Sequence, residues 1–254
     1  MNLQMNISIG DHYKSASQIS RVLTEHWMLN NGYCPSCQSD LVQSKSNSKV
    51  LDFICTICSN DFELKSKKGN FTKKVTDGAY SSMITRIVED NSPHFYFLGY
   101  DKTYKVKNLI AVPNYFLQHK VIEKRKALSI TAKRAGWIGC NILLDQIPSI
   151  GKIRLVHNSQ PVSRDDVQKI WQKTTFLENE RLAGNRGWLL DVMKCIDMLG
   201  MKAFSLQQLY IYETYLSERH PENHHIKDKI RQQLQFLRDK GFLEFEKRGF
   251  YKLT

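Results

Sequence analysis

The sequence predicts an α/β protein: a mixed β-sheet flanked by helices over residues 1–182, followed by a smaller domain of helices and a β-hairpin over residues 183–254. Three observations support this division. Strand-like runs and helical patterns share the first part, two CxxC pairs lie near its start, and helical patterns dominate from about residue 183. A chain of 254 residues is long enough to bury a core in each domain.

The first domain begins with a predicted helix over residues 17–30. Ser17 is its predicted N-cap, and one face carries Ile19, Val22, Leu23, His26 and Trp27. A second helix is predicted near residues 78–90. Runs rich in β-branched and aromatic residues follow and predict strands at 94–100, 104–112, 138–144 and 152–156.

The second domain shows a change of pattern. Helices are predicted over 188–199, 205–219 and 224–240, and two short strands flank the turn EKRG at 246–249. Three helices followed by a hairpin are typical of a winged helix-turn-helix module.

Charge favours a partner that carries phosphate. Lys and Arg number 37 against 25 Asp and Glu, which gives a net charge of +12. This balance favours nucleic acid over acidic proteins or neutral metabolites. The sequence contains no apolar run of membrane-spanning length and no signal-peptide pattern, so we expect a cytoplasmic protein without membrane attachment.

Four of the six cysteines form two CxxC pairs, Cys34 with Cys37 and Cys55 with Cys58. Two such pairs can supply the four thiolates of a tetrahedral Zn²⁺ site, which leaves no open position for water and is therefore structural. Redox dithiols or incidental core cysteines are the alternatives. The zinc interpretation is favoured because both pairs share one spacing, whereas Cys140 and Cys195 stand alone.

The second CxxC pair lies between acidic and basic residues, in DFICTICSNDFELK at 52–65. If Cys55 to Asn60 form a turn, the flanking segments pair antiparallel with Ile54 opposite Asp61 and Val50 near Lys65. Strand alternation then places one charged set on a common face: Asp52, Asp61, Glu63 and Lys65. Two carboxylates suit Mg²⁺, and a nearby lysine can hold an attacking water or stabilise developing charge. A surface hairpin with a Glu–Lys ion pair is the alternative.

This arrangement resembles the PD-(D/E)xK nucleases, with Asp52 as the first carboxylate and Glu63-Leu64-Lys65 as the ExK element. Leu51 stands where the family usually has proline. Glu63 is the only acidic residue of this chain with lysine two positions later. The resemblance implies that Asp52, Glu63 and the main-chain carbonyl of Leu64 ligate Mg²⁺, while Lys65 assists the water. It also suggests Glu25 as an outer carboxylate.

The last predicted helix has a buried stripe of Ile226, Ile230, Leu234 and Leu237. The opposite arc can hydrogen-bond base edges and carries His224, His225, Asp228, Arg231, Gln232 and Gln235. Lys247 and Arg248 lie at the hairpin tip, where a wing would meet phosphate. The alternative is an ordinary solvated helix face, but the order of elements and the basic tip favour DNA binding.

The segment AKRAGWIG at 132–139 combines Lys133 and Arg134 with Trp137. An aromatic ring between basic residues can wedge against or stack on bases, and a buried core tryptophan is the alternative.

Over nearly the whole chain, four segments make the sequence similar to the methyl-directed type II restriction endonucleases: CPSC, DFICTICSNDFELKSKKGN, AKRAGWIGCNILL and HHIKDKIRQQLQFLRDKGFLEFEKRGFY. The resemblance implies Mg²⁺-dependent cleavage of double-stranded DNA at GATC sites that carry N6-methyladenine, and we expect a monomer. The competing hypothesis is a zinc-containing winged-helix transcription regulator without catalysis.

Overall fold

The computed structural model describes residues 1–44, 52–178 and 183–254, with side chains described from residue 186 in the last range. It divides into two compact units: Met1–Gln146 with Ile150–Gln172, and Ile147–Ser149 with Lys173–Thr254. The boundary predicted between residues 182 and 183 adjoins residues 179–182, which lie outside the described part. In the described ranges, no helix is both long and apolar enough to cross a bilayer.

The first unit is built on strands and three longer helices. The strands are β1 (Leu41–Gln43), β2 (Phe53–Cys55), β3 (Asp61–Lys68), β4 (Lys74–Ala79), β5 (His94–Tyr100), β6 (Val106–Val112), β7 (Ile122–Lys124), β8 (Gly139–Leu143), β9 (Ile153–His157) and β10 (Gln160–Pro161). The helices are α1 (Ala16–Asn31), α2 (Tyr80–Val88) and α3 (Arg164–Thr174), the last of which ends at the boundary between the units.

A seven-stranded mixed sheet with the order β1-β2-β3-β5-β6-β9-β10 organises this unit, which confirms the predicted α/β class. Strands β3 and β5 are parallel, and the other neighbouring pairs are antiparallel. The predicted strand at 138–144 is β8, but it belongs to a separate sheet of order β4-β8-β7 that the sequence patterns did not predict.

The parallel pair determines where the candidate site residues meet. Parallel neighbours need a crossover connection, because the chain must return to the same edge before it continues in the same direction. Between β3 and β5 this crossover contains β4 and α2. The crossover brings β4 and α2 to the face of the sheet that carries Glu63 and Lys65.

The core on the other face includes α1. Leu23, Trp27 and Met28 of α1 belong to one buried cluster with Phe53 and Phe62 of the sheet. The buried face of α1 differs from the predicted one, because His26, which was predicted to lie on it, is exposed and Thr24 is buried instead. Thr24 tolerates burial because its hydroxyl donates to the Ser20 carbonyl at 2.8 Å.

The predicted start of α1 was also wrong. The N-cap is Ser15, not Ser17, and the hydroxyls of these two residues lie 2.8 Å apart.

The second unit contains α4 (Ala183–Leu199), β11 (Ala203–Ser205), α5 (Leu206–Tyr210), α6 (Glu213–Arg219), α7 (Ile226–Asp239), β12 (Leu243–Lys247) and β13 (Phe250–Leu253). Its strands form an antiparallel sheet of order β11-β13-β12. The helix predicted over 205–219 is wrong as a single element, because a turn at Ile211 and Tyr212 separates α5 from α6. Strand β11 was not predicted. The buried stripe predicted for α7 is confirmed.

Candidate active site, metal site and nucleic-acid interface

The hairpin of β2 and β3 has the predicted register. Phe53 pairs with Phe62 and Ile54 with Asp61, so the backbone of Asp52 lies beside that of Glu63. Phe53 and Phe62 are fully buried, which leaves Glu63 and Lys65 on the opposite face of β3. The predicted partner of Lys65, Val50, lies outside the described residues.

Asp52 and Glu63 form a pair of partly buried carboxyl groups. The Leu64 N–H donates to Oδ2 of Asp52 at 2.7 Å. Burial raises the pKa of Asp52, and the Leu64 hydrogen bond and the charge of Lys65 oppose that rise. Burial also raises the pKa of Glu63 to about 7. The charge of Lys65 offsets part of this rise, whereas the charges of Asp77 and Asp52 add to it. A cation between such groups would favour their ionised forms.

Lys65 lies between two carboxylates. Its Nζ contacts Glu63 Oε1 and also Oδ1 of Asp77, a residue of β4 whose side chain is only 4% exposed. Burial alone would lower the pKa of Lys65, but the charges of Glu63 and Asp77 outweigh that effect and raise it. Lys65 is therefore held in its charged form.

Glu63, Lys65 and Asp77 line a cleft of about 590 Å³ in the first unit, whereas Asp52 is not among its lining residues. Glu63, Lys65 and Asp77 form its acidic and basic side, and Phe95 and Met83 contribute apolar surface. Three further side chains of the lining belong to α2 and to the segment before β8: Arg86, Arg134 and Trp137. Such a mixture of positive charge, carboxylates and an aromatic ring suits a phosphate-bearing ligand that also presents bases.

Trp137 is half-buried in this lining and does not belong to the apolar core. The Arg134 guanidinium lies 4.4 Å from the centroid of its ring. Gly139 allows the indole to pack against the backbone, since a Cβ there would lie 2.8 Å from the ring. Lys133 is exposed in the same segment but is not among the lining residues.

Glu25, the predicted outer carboxylate, lies on α1. Its pKa is raised by burial and, to a smaller extent, by the charge of Asp52, whereas Arg21 lowers it. Glu25 is not among the residues that line the cleft. A hydrogen bond of 3.1 Å between the hydroxyls of Thr24 and Ser66 ties this part of α1 to β3.

The four cysteines of the CxxC pairs come together. The ligand atoms of Cys34, Cys37, Cys55 and Cys58 all lie within 4.8 Å of one another. Three sulfur pairs are separated by 3.4, 3.5 and 3.6 Å, distances too long for disulfides. Zn–S bonds of about 2.3 Å place tetrahedral sulfurs at about this separation. The cluster therefore fits a zinc ion with a closed shell of thiolates.

This cluster joins the segment after α1 to the hairpin. Cys55 ends β2, and its N–H donates to the Asn60 carbonyl at 2.8 Å across the turn before β3. Strand β1 pairs with β2 from Leu41 opposite Cys55, so the cluster also adjoins the edge of the sheet. A bound ion would fix the end of the hairpin whose two arms carry Asp52 and Glu63.

In the second unit, α7 presents a polar face. The side chains predicted to read bases are all exposed: His224, His225, Asp228, Arg231, Gln232 and Gln235. Arg231 contacts Asp228 on the same helix and the Tyr210 hydroxyl at 3.3 Å. Gln232 accepts a hydrogen bond of 2.8 Å from Lys229.

Lys247 and Arg248 are exposed at the tip between β12 and β13. Gly249 follows with a φ of +76°, a conformation that glycine adopts without strain, so the hairpin can turn tightly there. The two cations are therefore presented at the end of the wing.

Asp77 and Arg86 were missed from the sequence. Neither residue belongs to a short motif with the ExK element, and both reach the cleft only through the crossover between β3 and β5. Asp77 precedes Gly78, and this Asp-Gly pair indicates a turn more readily than a strand with a buried carboxylate. Sheet topology was needed to find it.

Two family models match the chain. One, described as DpnI, the Dam-replacing family, covers residues 1–180. The other, described as the Dam-replacing HTH domain of the same family, covers residues 184–253. Together they extend over nearly all of the sequence, and the helix-turn-helix match indicates DNA binding by the second part.

Proposed function

We propose a nuclease function for this chain, which belongs to the DpnI, Dam-replacing family. It acts as a type II restriction endonuclease that hydrolyses phosphodiester bonds of double-stranded DNA. What supports the proposal is that Asp52, which immediately precedes β2, lies beside Glu63 of β3, while Glu63 contacts Lys65 in a cleft with further cations.

The carboxylate pair fits Mg²⁺. In proteins this ion usually contacts one or two carboxylates and keeps several waters, so a cage of many protein ligands is not required. Asp52 and Glu63 would hold it, with the main-chain carbonyl of Leu64 as a third ligand. When bound, Mg²⁺ would neutralise charge on the phosphate and favour ionisation of a water.

The protein side chains position and stabilise the reacting groups. Lys65 is charged and directed into the cleft, where it can orient a water and stabilise negative charge that develops on the phosphate. Arg86 and Arg134, which also line the cleft, can bind neighbouring phosphates of the backbone. Phe95 beneath Lys65 limits the access of bulk water to this side of the site.

Sequence recognition is divided between the units. On α7, Arg231, Gln232 and Gln235 are available to bind base edges, with His224, His225 and Asp228 at the start of the same face. Lys247 and Arg248 bind the phosphate backbone as a wing. In the first unit Trp137 and Arg134 contact bases or sugars near the cleft, with Lys133 on the adjacent backbone.

The substrate that we propose is the GATC site with N6-methyladenine, cut by a monomer. The family match supports methyl-directed restriction, and the whole-chain resemblance supports this particular site. An apolar surface is needed to favour a methylated base over an unmodified one, and Trp137 supplies such a surface in the cleft.

A zinc-containing transcription regulator is not favoured. Such a protein has no use for two partly buried carboxyl groups and a buried lysine on paired strands, and burying these groups costs stability. The second family match fits a regulator as well as a nuclease, but the first match extends over the catalytic unit.

The test is incubation of the protein with methylated and unmethylated plasmid in the presence of Mg²⁺. We expect fragments from the methylated plasmid alone, and no fragments from either plasmid when EDTA replaces Mg²⁺. Binding of the methylated plasmid without cleavage would instead support the regulator.

Trp137 provides a separate prediction about the methyl group. Trp137→Ala should reduce the preference for methylated over unmethylated sites by about tenfold, because the apolar contact is worth about 1–3 kcal/mol. Cleavage rates on the two plasmids measure the ratio. The matched control is Trp188→Phe in the second unit, and an unchanged ratio in Trp137→Ala would contradict the assignment.

A further inference from the structure

Asp77 is the second carboxylate partner of Lys65. Both Glu63 and Asp77 contact the Lys65 ammonium, but they come from different sheets. Glu63 is a neighbour of Lys65 on the same strand, whereas Asp77 reaches it from β4. Asp77 is also the more buried of the two, with 4% of its side chain exposed against 14% for Glu63.

The backbone around Asp77 is built to direct this side chain. Asp77 pairs with Cys140 of β8, and the register shifts between Asp77 and Ala79. A bulge of this kind bends a strand and changes the direction of its side chains, and it occurs often beside active sites. Gly78 and Ala79, which lie in the bulge, line the cleft together with Asp77.

A buried carboxylate is costly unless it is paired. In the described part of the chain, Asp77 forms its ion pair with Lys65. The contact is therefore a specific feature of the fold. In contrast, Lys74 and Glu123 form an ion pair on the same small sheet that is about half exposed on each side, at 54% and 41%, and that lies outside the cleft.

The two partners of Lys65 have different tasks under the proposed function, on which this inference rests. A Glu63 carboxylate that ligates a cation has less capacity to hold Lys65. We propose that Asp77 is a positioning residue, which keeps the Lys65 ammonium in the cleft when Glu63 is engaged. Asp77 contacts neither the substrate nor the cation in this role and acts only through Lys65.

A direct metal ligand is the competing role for Asp77, and double-mutant analysis separates the two. If Asp77 acts through Lys65, its substitution has no further effect once Lys65 is gone. If Asp77 binds the cation, its substitution weakens cation binding whether or not Lys65 is present.

The experiment compares Asp77→Asn, Lys65→Met and the double variant under single-turnover conditions, with the enzyme in excess over DNA and Mg²⁺ at saturation. We expect Asp77→Asn to slow cleavage by about 10- to 100-fold, the usual range for residues that orient an active group. The enzyme concentration that gives half of the maximal single-turnover rate, which reports DNA binding, should change by less than about threefold. The double variant should cut no more slowly than Lys65→Met, and Asp77→Glu should recover part of the rate. Glu123→Gln, the matched control on the same sheet, should leave the rate unchanged.

A second readout does not depend on activity. In protein that keeps its zinc but is given no Mg²⁺, acetylation of Lys65 by an amine-reactive reagent is followed by peptide mass spectrometry. Asp77→Asn should increase the acetylation rate of Lys65 several-fold and leave that of Lys74 unchanged, whereas Glu123→Gln should do the reverse. Binding of Mn²⁺, measured by calorimetry, should be as tight in Asp77→Asn as in the wild type.

Three outcomes would overturn the inference. A positioning role is excluded if Asp77→Asn has the same cleavage rate and the same Lys65 acetylation rate as the wild type. It is also excluded if the double variant cuts more slowly than Lys65→Met. Weakened Mn²⁺ binding in Asp77→Asn assigns Asp77 to the cation. Failure of the proposed function gives a different result, because the wild type would then cut no DNA under any condition. Failure of the positioning role alone would leave a wild type that cuts and an Asp77→Asn variant that cuts equally well.

Discussion

At the scale of single residues, burial sets the protonation state of side chains around the sheet. His94, at the start of β5, is enclosed by aromatic rings, with the Trp171 ring centroid 4.9 Å away. Its Nδ1 accepts a hydrogen bond of 2.9 Å from the Asn114 N–H. Burial lowers the pKa of His94 to about 3, so the ring is neutral in the folded protein near neutral pH.

This shift predicts a loss of stability in acid. The pKa of His94 falls from 6.5 in the unfolded chain to about 3 in the fold, so the unfolded state binds more protons between these values. The free energy of unfolding should therefore decrease as pH falls below 6.5, by up to about 1.4 kcal/mol per pH unit. Urea unfolding at pH 7.5 and 5.0 measures the difference, which should be smaller in His94→Gln than in the wild type. His12→Gln, at an exposed position, is the control, and an equal acid loss in His94→Gln would contradict the prediction.

The residues of the site differ in how far the sequence predicts them. Asp52, Glu63 and Lys65 were predicted because strand alternation over a short hairpin is a local property, and the register follows from a turn of known length. Asp77 was not predicted, because its approach to Lys65 depends on the crossover that brings β4 to the face of the sheet. The extent to which Trp137 is buried was also left open by its local sequence.

At the scale of elements, the cysteine cluster and the hairpin form one structural unit. The cluster connects the segment after α1 with the turn between β2 and β3, and the arms of that hairpin carry the carboxylate pair. Strand β2 is only three residues long and is held by three residue pairs with β1 and two with β3, so its position depends strongly on what holds its end. The metal is thus expected to control catalysis from a distance.

Removal of zinc provides the prediction at this scale. A chelator that extracts Zn²⁺ should abolish cleavage even when Mg²⁺ is supplied in excess, and returned Zn²⁺ should restore it. A lost stabilisation of about 3 kcal/mol would lower Tm by about 10 °C, as measured by calorimetry. Cys34→Ser should reproduce both effects, whereas Cys195→Ala should keep its zinc content. A protein without stoichiometric zinc, or one with unchanged Tm after chelation, would contradict this account.

Several elements with strong local patterns were predicted, although helix α3 was missed, and strands that depend on tertiary pairing were not predicted. The amphipathic stripe of α7 fixed its buried face, and the aromatic run of β5 identified a buried strand. Strands β4, β7 and β11 were missed, because they are short or mixed in polarity and gain their stability from pairing with β8 and β13. The break between α5 and α6 interrupts no apolar periodicity, so the pattern alone did not reveal it.

At the scale of the whole molecule, charge and fold agree on the partner. A net charge of +12 attracts a polyanion at long range, and the helix-turn-helix match identifies DNA as that partner. Part of this positive charge lies where we expect DNA to bind, on Lys247 and Arg248 at the wing and on Arg86 and Arg134 in the cleft. Most of the affinity for DNA should accordingly depend on salt.

Salt dependence tests the wing. Each phosphate contact contributes about 0.9 to the slope of log affinity against log salt concentration, so Lys247→Gln with Arg248→Gln should reduce the slope by about 2. Fluorescence anisotropy with a labelled duplex, from low to moderate salt, measures the change. The double substitution Lys102→Gln with Lys105→Gln, at exposed positions of the first unit, is the control for total charge. Equal slopes for the two double variants would show that the wing makes no specific phosphate contact.

The central claim is that Asp52, Glu63 and Lys65, carried by one hairpin, hydrolyse the DNA backbone. Its most direct test is single-turnover cleavage of a methylated GATC duplex with Mg²⁺ by the wild type and by Lys65→Ala, with DNA affinity measured in parallel without Mg²⁺ and without a chelator. We predict that Lys65→Ala slows cleavage by at least about 100-fold while its affinity stays within about threefold of the wild type. A Lys65→Ala variant that cuts at the rate of the wild type would contradict the claim, and so would a wild-type protein that binds the duplex and leaves it intact.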